Sequence, residues 1–507
     1  IDGGADSDTV FEISGNDIVV DDLGASSVVL GMSVRVVYWT SIDAVLISGT
    51  SGDDRLDASG FSGDATIFGR NGVDTILAGA GHDRLYGGGD DDSIDGGAGD
   101  DSILGGDGND TITGGAGNDT IRGNEGSDRI IEPVAGVTTL LRSSLTSDLG
   151  VDLLSTIERP YLVGSAGNDS IDLSAYPAWV RVDAGAGDDL IVGTRFDDVL
   201  IGQEGNDTIY GDFGADAIRG DEGDDLVFGH DGNDSIKGGF GDDTLNGGEG
   251  DDTLSGDHDR DRLSGDNGSD SIKGGRGADT MTGGRGNDRF KGDGGTDTIV
   301  ESIFSSLELT SRRLNGAPIG SDSFTRVERV ILRGSSGNEF IQAGAFTGRL
   351  VVFGRDGDDT IFGGQGADQL DGGAGNDVLI GNGGNDLLIG GEGADILDAG
   401  AGDDQIVAGA GADSLRGGSG NDLLDGGTEN DTLLGSSGND TLNGDAGADL
   451  LLGEADDDQV NGGADADSGT GGGNGNARSD NDVLDSVETI DDAFAFNFDA
   501  IVNAVLT

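Results

Sequence analysis

The sequence contains no cysteine and only four prolines in 507 residues. The first absence removes disulfides and thiol chemistry. Together with only three isolated histidines, His82, His230 and His258, it leaves no donor set suited to zinc. Scarce proline argues against a collagen-like chain, whose period would be three. Positive charge is also scarce: 28 Lys and Arg stand against 98 Asp and Glu, for a formal net charge of −70. This balance disfavours nucleic acid and anionic membranes as partners and favours cations. No run of about 18 apolar residues occurs, so no membrane span is expected. There is no G-x-S-x-G, H-E-x-x-H, phosphate loop or dinucleotide fingerprint, and the chain is expected not to be an enzyme.

Glycine is abundant, with 101 residues, and it is periodic, which disorder would not require. The stretch "GGAGDDSILGGDGNDTITGGAGNDTIR" (96–122) repeats Gly-Gly-x-Gly-x-Asp-x-apolar-x three times. The sixth-position Asp recurs every nine residues in three arrays. The first holds Asp74, Asp83, Asp92, Asp101, Asp110, Asp119 and Asp128. The second holds Asp189, Asp198, Asp207, Asp216, Asp225, Asp234, Asp243, Asp252, Asp261, Asp270, Asp279, Asp288 and Asp297. The third holds Asp359, Asp368, Asp377, Asp386, Asp395, Asp404, Asp413, Asp422, Asp431, Asp440, Asp449 and Asp458, and closes at Asp467. Of these 33 nonapeptides, 32 carry an apolar residue two places after the Asp; Gly469 is the exception.

The spacers between arrays repeat as well. "SIDAVLISGTSGDDRLDASGFSGDATIFG" (41–69) aligns with 156–184 and with 326–354, each carrying one repeat, around Asp54, Asp169 or Glu339, and then an aromatic residue, Phe61, Tyr176 or Phe346. The expected organisation is the tail of an earlier array (1–11), a spacer (12–48), array 1 (49–131), a spacer (132–163), array 2 (164–300), a spacer (301–333), array 3 (334–469) and a C-terminal cap or spacer (470–507). The opening "GGADSDTVFE" reads as an excerpt of something longer. Alternating apolar residues in the upstream spacer halves read as short strands or hairpins that cap or bridge arrays.

A nine-residue unit fits a six-residue turn, Gly-Gly-x-Gly-x-Asp, and a three-residue strand whose central side chain points inward. Two units make an 18-residue coil, and stacked coils make an all-β, right-handed parallel β-roll, a β-solenoid. Glycine supplies turn conformations that other residues resist. Asp replaces the fourth-position Gly at Asp90, Asp259, Asp456 and Asp465 and tolerates left-handed geometry. Glu429 fits poorly, so a distorted turn is expected there. Stacked carboxylates about 5 Å apart repel by roughly 0.8 kcal/mol even at the dielectric of water. Accumulated along the arrays, that repulsion rivals a typical stability of about 5–15 kcal/mol. A cation must sit between the acids. Calcium suits hard oxygen ligands from carboxylates and carbonyls, whereas magnesium suits such flexible cages poorly. Residues 18 apart share an edge, so one ion can lie between two turns.

The nonapeptide resembles the calcium-binding motif of the repeats-in-toxin (RTX) family, hemolysin-type calcium-binding repeats. The resemblance implies many calcium ions, roughly one per nonapeptide, held by the sixth-position Asp carboxylates listed above through Asp458 and by carbonyls of the glycine turns. It also implies a bacterial protein exported by a type I route that folds outside the cell. The pattern departs at Glu339, whose longer side chain disturbs that edge, and near Asp458 and Asp467, where the turns lose glycines.

Other signals are weaker. The histidines read as solvated loop residues. "RGD" at 219–221 and the Asn-Asp-Ser/Thr sequons follow from the repeat itself. "DHDRDRL" (257–263) lacks the spacing of a helix-loop-helix calcium loop. Tyr38, Trp39 and Trp179 suit packing of a roll end better than a carbohydrate platform, and Phe494, Phe496 and Phe498 suggest a closing strand whose tail resembles an uncleaved secretion signal. The preferred function is a secreted structural or adhesive calcium-binding rod that meets surface or matrix components. Its rivals are the non-catalytic arm of a larger enzyme or toxin and a surface-lattice or filament subunit.

Overall fold

The computed structural model describes residues 9–14, 17–21, 28–30, 43–471 and 483–485. Tyr38, Trp39 and the Phe494–Phe498 stretch lie outside the described residues, as do most of the expected segments 1–11 and 470–507. The chain divides into two compact units, Ile1–Glu249 and Gly250–Thr507. Among the described residues every regular element is a β-strand, with no helix.

The first unit winds between two facing sheets. Ser102–Asp107 pairs in parallel with Arg84–Gly89 and with Thr120–Glu125, which sets Ile103 beside Leu85 and Ile121. Ser93–Asp95 and Thr111–Thr113 pair in the opposite sheet, with Ile94 beside Ile76 and Ile112. The second unit repeats the plan. Leu387–Glu392 lies between Gln369–Ala374 and Gln405–Ala410, and Ile396–Ala401 lies between Val378–Gly383 and Ser414–Ser419. The register advances by 20 residues at the first step of each array and by 18 thereafter, and the fold is a parallel β-solenoid. Period-two alternation explains the core: the eighth-position residue points inward while its neighbours point out. Ile103, Ile112, Ile121, Leu388 and Leu397 are all buried.

The strands are longer than the expected three residues in most repeats. Thr244–Glu249 and Ser414–Ser419 run through x-apolar-x-Gly-Gly-x, so pairing continues into the glycine pair, and Gly400 lies beside Gly418. Glycine permits this because backbone pairing needs no side chain. Only Gly-x-Asp is left to turn the corner.

The spacers at 132–163 and 301–333 bridge the arrays on either side of them. In the first unit Arg129–Pro133 pairs with Arg159–Val163, which pairs with Arg181–Ala186, so one sheet passes straight through. In the other sheet the spacer adds an antiparallel meander of Val137–Leu141, Ser144–Ser147 and Gly150–Ser155. Its last strand stacks on Thr120–Glu125 and its first on Ser170–Asp172. The second unit builds the same device from Ser306–Leu309, Arg313–Gly316 and Gly320–Thr325. The expected hairpins are present, and their outer strands supply both neighbouring coils with partners.

Candidate metal centres along the carboxylate ladders

Within each array the sixth-position Asp closes the turn, and none of these side chains is more than 4% exposed. Except before Asp83, Asp198 and Asp368, the turn that carries it holds two residues of positive φ, at the second and fourth positions. They are Gly88 (126°) and Asp90 (78°) before Asp92, and Gly391 (115°) and Gly393 (130°) before Asp395. Asp259, Asp456 and Asp465 take φ values of 66°, 78° and 84° at the fourth position, as expected for Asp. Glu429 corrects the expected distortion: its φ of 77° matches those Asp residues. Its carboxylate accepts hydrogen bonds from the Gly411 amide at 3.0 Å and the Thr428 hydroxyl at 2.6 Å. Nearby, the backbone bond from Gly411 to the Thr428 carbonyl is long, at 3.3 Å. The glycine-poor turns before Asp458 and Asp467 also keep the left-handed form, at Glu454 (73°) and Asp465 (84°).

The coil period brings the carboxylates together in ladders along the two edges of the solenoid. Except where an array ends, an Asp donates its backbone N–H to Oδ1 of the Asp 18 residues later; Asp119 and Asp288 donate instead to Asp152 and Asp322 of the spacers. One edge of array 1 runs Asp74, Asp92, Asp110, Asp128 with bonds of 2.8, 2.9 and 3.0 Å. The other runs Asp83, Asp101, Asp119. In the first unit array 2 continues this through Asp189, Asp207, Asp225, Asp243 and through Asp198, Asp216, Asp234. The second unit holds Asp252, Asp270, Asp288 and Asp261, Asp279, Asp297. Its array 3 ladders start at Asp359 and Asp368 and end at Asp467 and Asp458.

Oδ1 is thus satisfied and Oδ2 is not. In array 1, Oδ2 is buried without a hydrogen bond at Asp74, Asp92, Asp101, Asp110, Asp119 and Asp128. The same holds at Asp189, Asp207, Asp216, Asp225, Asp270, Asp279, Asp288, Asp297 and Asp359, and at every repeat from Asp377 to Asp449. Buried acceptors without donors are rare and costly. Beside several of them lies a second oxygen. A Cβ built on Gly69 would fall 2.4 Å from Asp74 Oδ2 and 2.5 Å from the Gly87 carbonyl oxygen. At Gly211 the corresponding distances are 2.4 Å to Asp216 Oδ2 and 2.7 Å to the Gly229 carbonyl. Two oxygens from successive coils therefore converge on one small volume with no proton between them, which is where a hard cation belongs. Alanine takes the glycine position at Ala184, Ala399 and Ala408, and its methyl narrows that volume beside Asp189, Asp404 and Asp413.

The protonation behaviour agrees. Burial lifts the Asp216 carboxyl to about 8 against the lowering effect of the Asp198 amide, and the charges of Asp198 and Asp234 add to the rise. Burial, with the neighbouring Asp243 and Asp207 charges, brings Asp225 to about 8 as well. Among the described residues no three Asp, Glu or His side chains gather as a metal cluster. The ladder spaces its carboxylates one per turn, so the remaining oxygens would come from turn carbonyls. The residues present fit calcium.

The spacing of these ladders is the hallmark of a known repeat. The family model for the RTX calcium-binding nonapeptide repeat matches overlapping stretches over residues 59–130, 183–299 and 351–469. The chain belongs to this RTX family. No curated protein matches the chain.

Two candidate ligands at the first glycine position of this RTX chain were not expected from the sequence. Glu132 and Glu301 stand where the next repeat would begin after Asp128 and Asp297, a place that elsewhere holds glycine. Both are buried, and Glu132 accepts the Gly114 and Gly115 amides at 2.5 and 3.2 Å while Glu301 accepts the Gly283 amide at 2.7 Å. Glu132 Oε1 lies 3.0 Å from a Cβ built on Gly114, beside Asp119 Oδ2. It brings a carboxylate to the place where earlier coils bring a carbonyl. Burial, then the charges of Asp322 and Asp288, lifts Glu301 to about 8. The visible signal was a Glu in the first glycine position. His82 and His230 are exposed, as expected; His82 Nδ1 accepts the Asp100 amide, and His230 stacks on Tyr210 at 5.8 Å.

Proposed function

We propose that the chain is a secreted, non-catalytic, structural or adhesive protein that folds outside the cell as calcium enters its ladders. One observation carries the reading: in repeats such as those of Asp74 and Asp216, a buried Asp Oδ2 faces a backbone carbonyl oxygen with no donor between them. The sixth-position carboxylates and turn carbonyls would hold the ions. Calcium binding only the folded form would stabilise it by mass action. Extracellular calcium modules bind at about 10⁻⁴–10⁻³ M, so a calcium-poor cytosol would keep the chain loose for a type I-like export route from a bacterium. The recurrence of whole spacer-and-array units supports a structural or adhesive role.

Circular dichroism of the full chain tests the folding step. In chelator the expected spectrum is coil; millimolar calcium should convert it to β. A spectrum that is already β in chelator and does not change with calcium would contradict the reading.

A further inference from the structure

Six carboxylates at the starts of the arrays differ from all the others. They come in three pairs 29 residues apart, Asp54 with Asp83, Asp169 with Asp198 and Glu339 with Asp368, and each pair encloses the loop of Phe61, Tyr176 or Phe346. In these six turns neither the second nor the fourth position has positive φ, whereas every other sixth-position Asp of the arrays follows a turn with both. The change of conformation swings the amide four residues before the carboxylate onto its second oxygen. Thr194 donates its N–H to Asp198 Oδ2 at 2.6 Å, and Gly364 donates to Asp368 Oδ2 at 2.6 Å. Gly79 donates to Asp83 Oδ2 at 3.3 Å. Thr50 and Ser165 do the same for Asp54 and Asp169 at 2.5 and 2.7 Å. Ser335 donates its N–H to Glu339 at 3.3 Å and its hydroxyl at 2.5 Å. At Asp198 and Asp368 the carboxylate also draws back. A Cβ built on Gly193 would lie 2.9 Å from Asp198 Oδ2, and one on Gly363 3.0 Å from Asp368 Oδ2, against 2.0 Å for Gly202 and Asp207 and 2.3 Å for Gly372 and Asp377.

An N–H aimed at the carboxylate presents partial positive charge on the side where a cation would approach, and it satisfies the oxygen that elsewhere has no donor. We propose that Asp54, Asp83, Asp169, Asp198, Glu339 and Asp368 take no calcium, so that each array begins with one enlarged coil closed by its own hydrogen bonds. The inference rests on the calcium reading of the remaining ladders. Four of the six turns carry Thr or Ser at the second position, at Thr50, Ser165, Thr194 and Ser335, but 363–368 reads Gly-Gly-Gln-Gly-Ala-Asp, a full match to the repeat. Position decides. The Gln365 amide bonds to the Phe346 carbonyl at 2.8 Å and the Ala80 amide to the Phe61 carbonyl at 3.2 Å, so the aromatic loop holds the turn in its other form.

The test compares two triple variants of the full chain, each shown by circular dichroism to be β in saturating calcium. One carries Asp83→Asn, Asp198→Asn and Asp368→Asn; the other carries Asp92→Asn, Asp207→Asn and Asp377→Asn. Bound calcium per chain is measured by equilibrium dialysis. The first variant should match the wild type and the second should bind fewer ions. Equal losses in both would overturn the inference alone. A wild type that binds no calcium would overturn the functional reading and the inference with it. Residue-resolved hydrogen exchange on the wild type decides the question even if the first variant fails to fold. The Thr50, Thr194 and Gly364 amides should stay protected at saturating calcium. Their release as calcium binds would show the carboxylates leaving them for the ion and would overturn the proposal.

Discussion

At the fourth position of the repeat, Gly286 has φ +145°, and a Cβ there would fall 1.4 Å from the Gly268 carbonyl oxygen of the preceding coil. The first glycine of a turn has a different reason to be small: at Gly211 the obstacle is the Asp216 carboxylate itself, 2.4 Å away. Non-glycine residues survive at the left-handed positions by settling at smaller φ, such as 66° at Asp259. Gly286→Ala would have to make the same adjustment without a side-chain hydrogen bond to hold it. It is expected to destabilise the calcium-loaded protein by about 1–3 kcal/mol, measured by denaturant unfolding at fixed calcium. The ladder carboxylates carry a second prediction. The ion-free fold lifts Asp216 from 3.8 to about 8 and Asp431 to about 7, in both cases chiefly by burial. A raised carboxyl pKa means that the folded state holds its proton more tightly than the unfolded chain does. This stabilisation is complete below the unfolded value near 4 and is lost as pH rises through about 7–8. In chelator, β content should therefore increase as pH is lowered from 8 towards 5, followed by circular dichroism.

Among the elements, the strand core was the most legible part of the sequence. The eighth-position Ile and Leu and the sixth-position Asp fixed both the 18-residue register and the inward faces, because a period-two strand between glycine turns leaves no other arrangement. The limits of the turn were less legible. Glycine pairs can extend a ladder as well as bend it, so strands such as Ser414–Ser419 run further than side-chain pattern alone implies. Gly363–Asp368 has the full consensus yet adopts the other turn, since the cause lies in the Phe346 loop one coil away. Glu132 and Glu301 were legible only as breaks in the glycine pattern. The Phe346 loop is itself a structural element: the ring is buried and meets Phe324 edge-on at 6.1 Å. Phe346→Ala is expected to cost about 3–5 kcal/mol, seen as a shift of the folding midpoint to higher calcium.

For the molecule as a whole, a net charge of −70 and long buried carboxylate ladders are the basis of the proposal that folding depends on an outside cation. Apolar burial sets which residues face inward, hydrogen bonds from Asp to Asp set the register, and on the proposed function calcium would remove the repulsion that both leave behind. The most direct measurement is a calcium-loaded crystal structure with the anomalous signal of the metal. Peaks are expected between successive turns, within about 2.3–2.6 Å of Oδ2 on aspartates such as Asp207, Asp216, Asp377 and Asp395 and of the facing turn carbonyls. Ladders folded as described but empty of metal, with those Oδ2 atoms protonated or bound to water, would contradict the account.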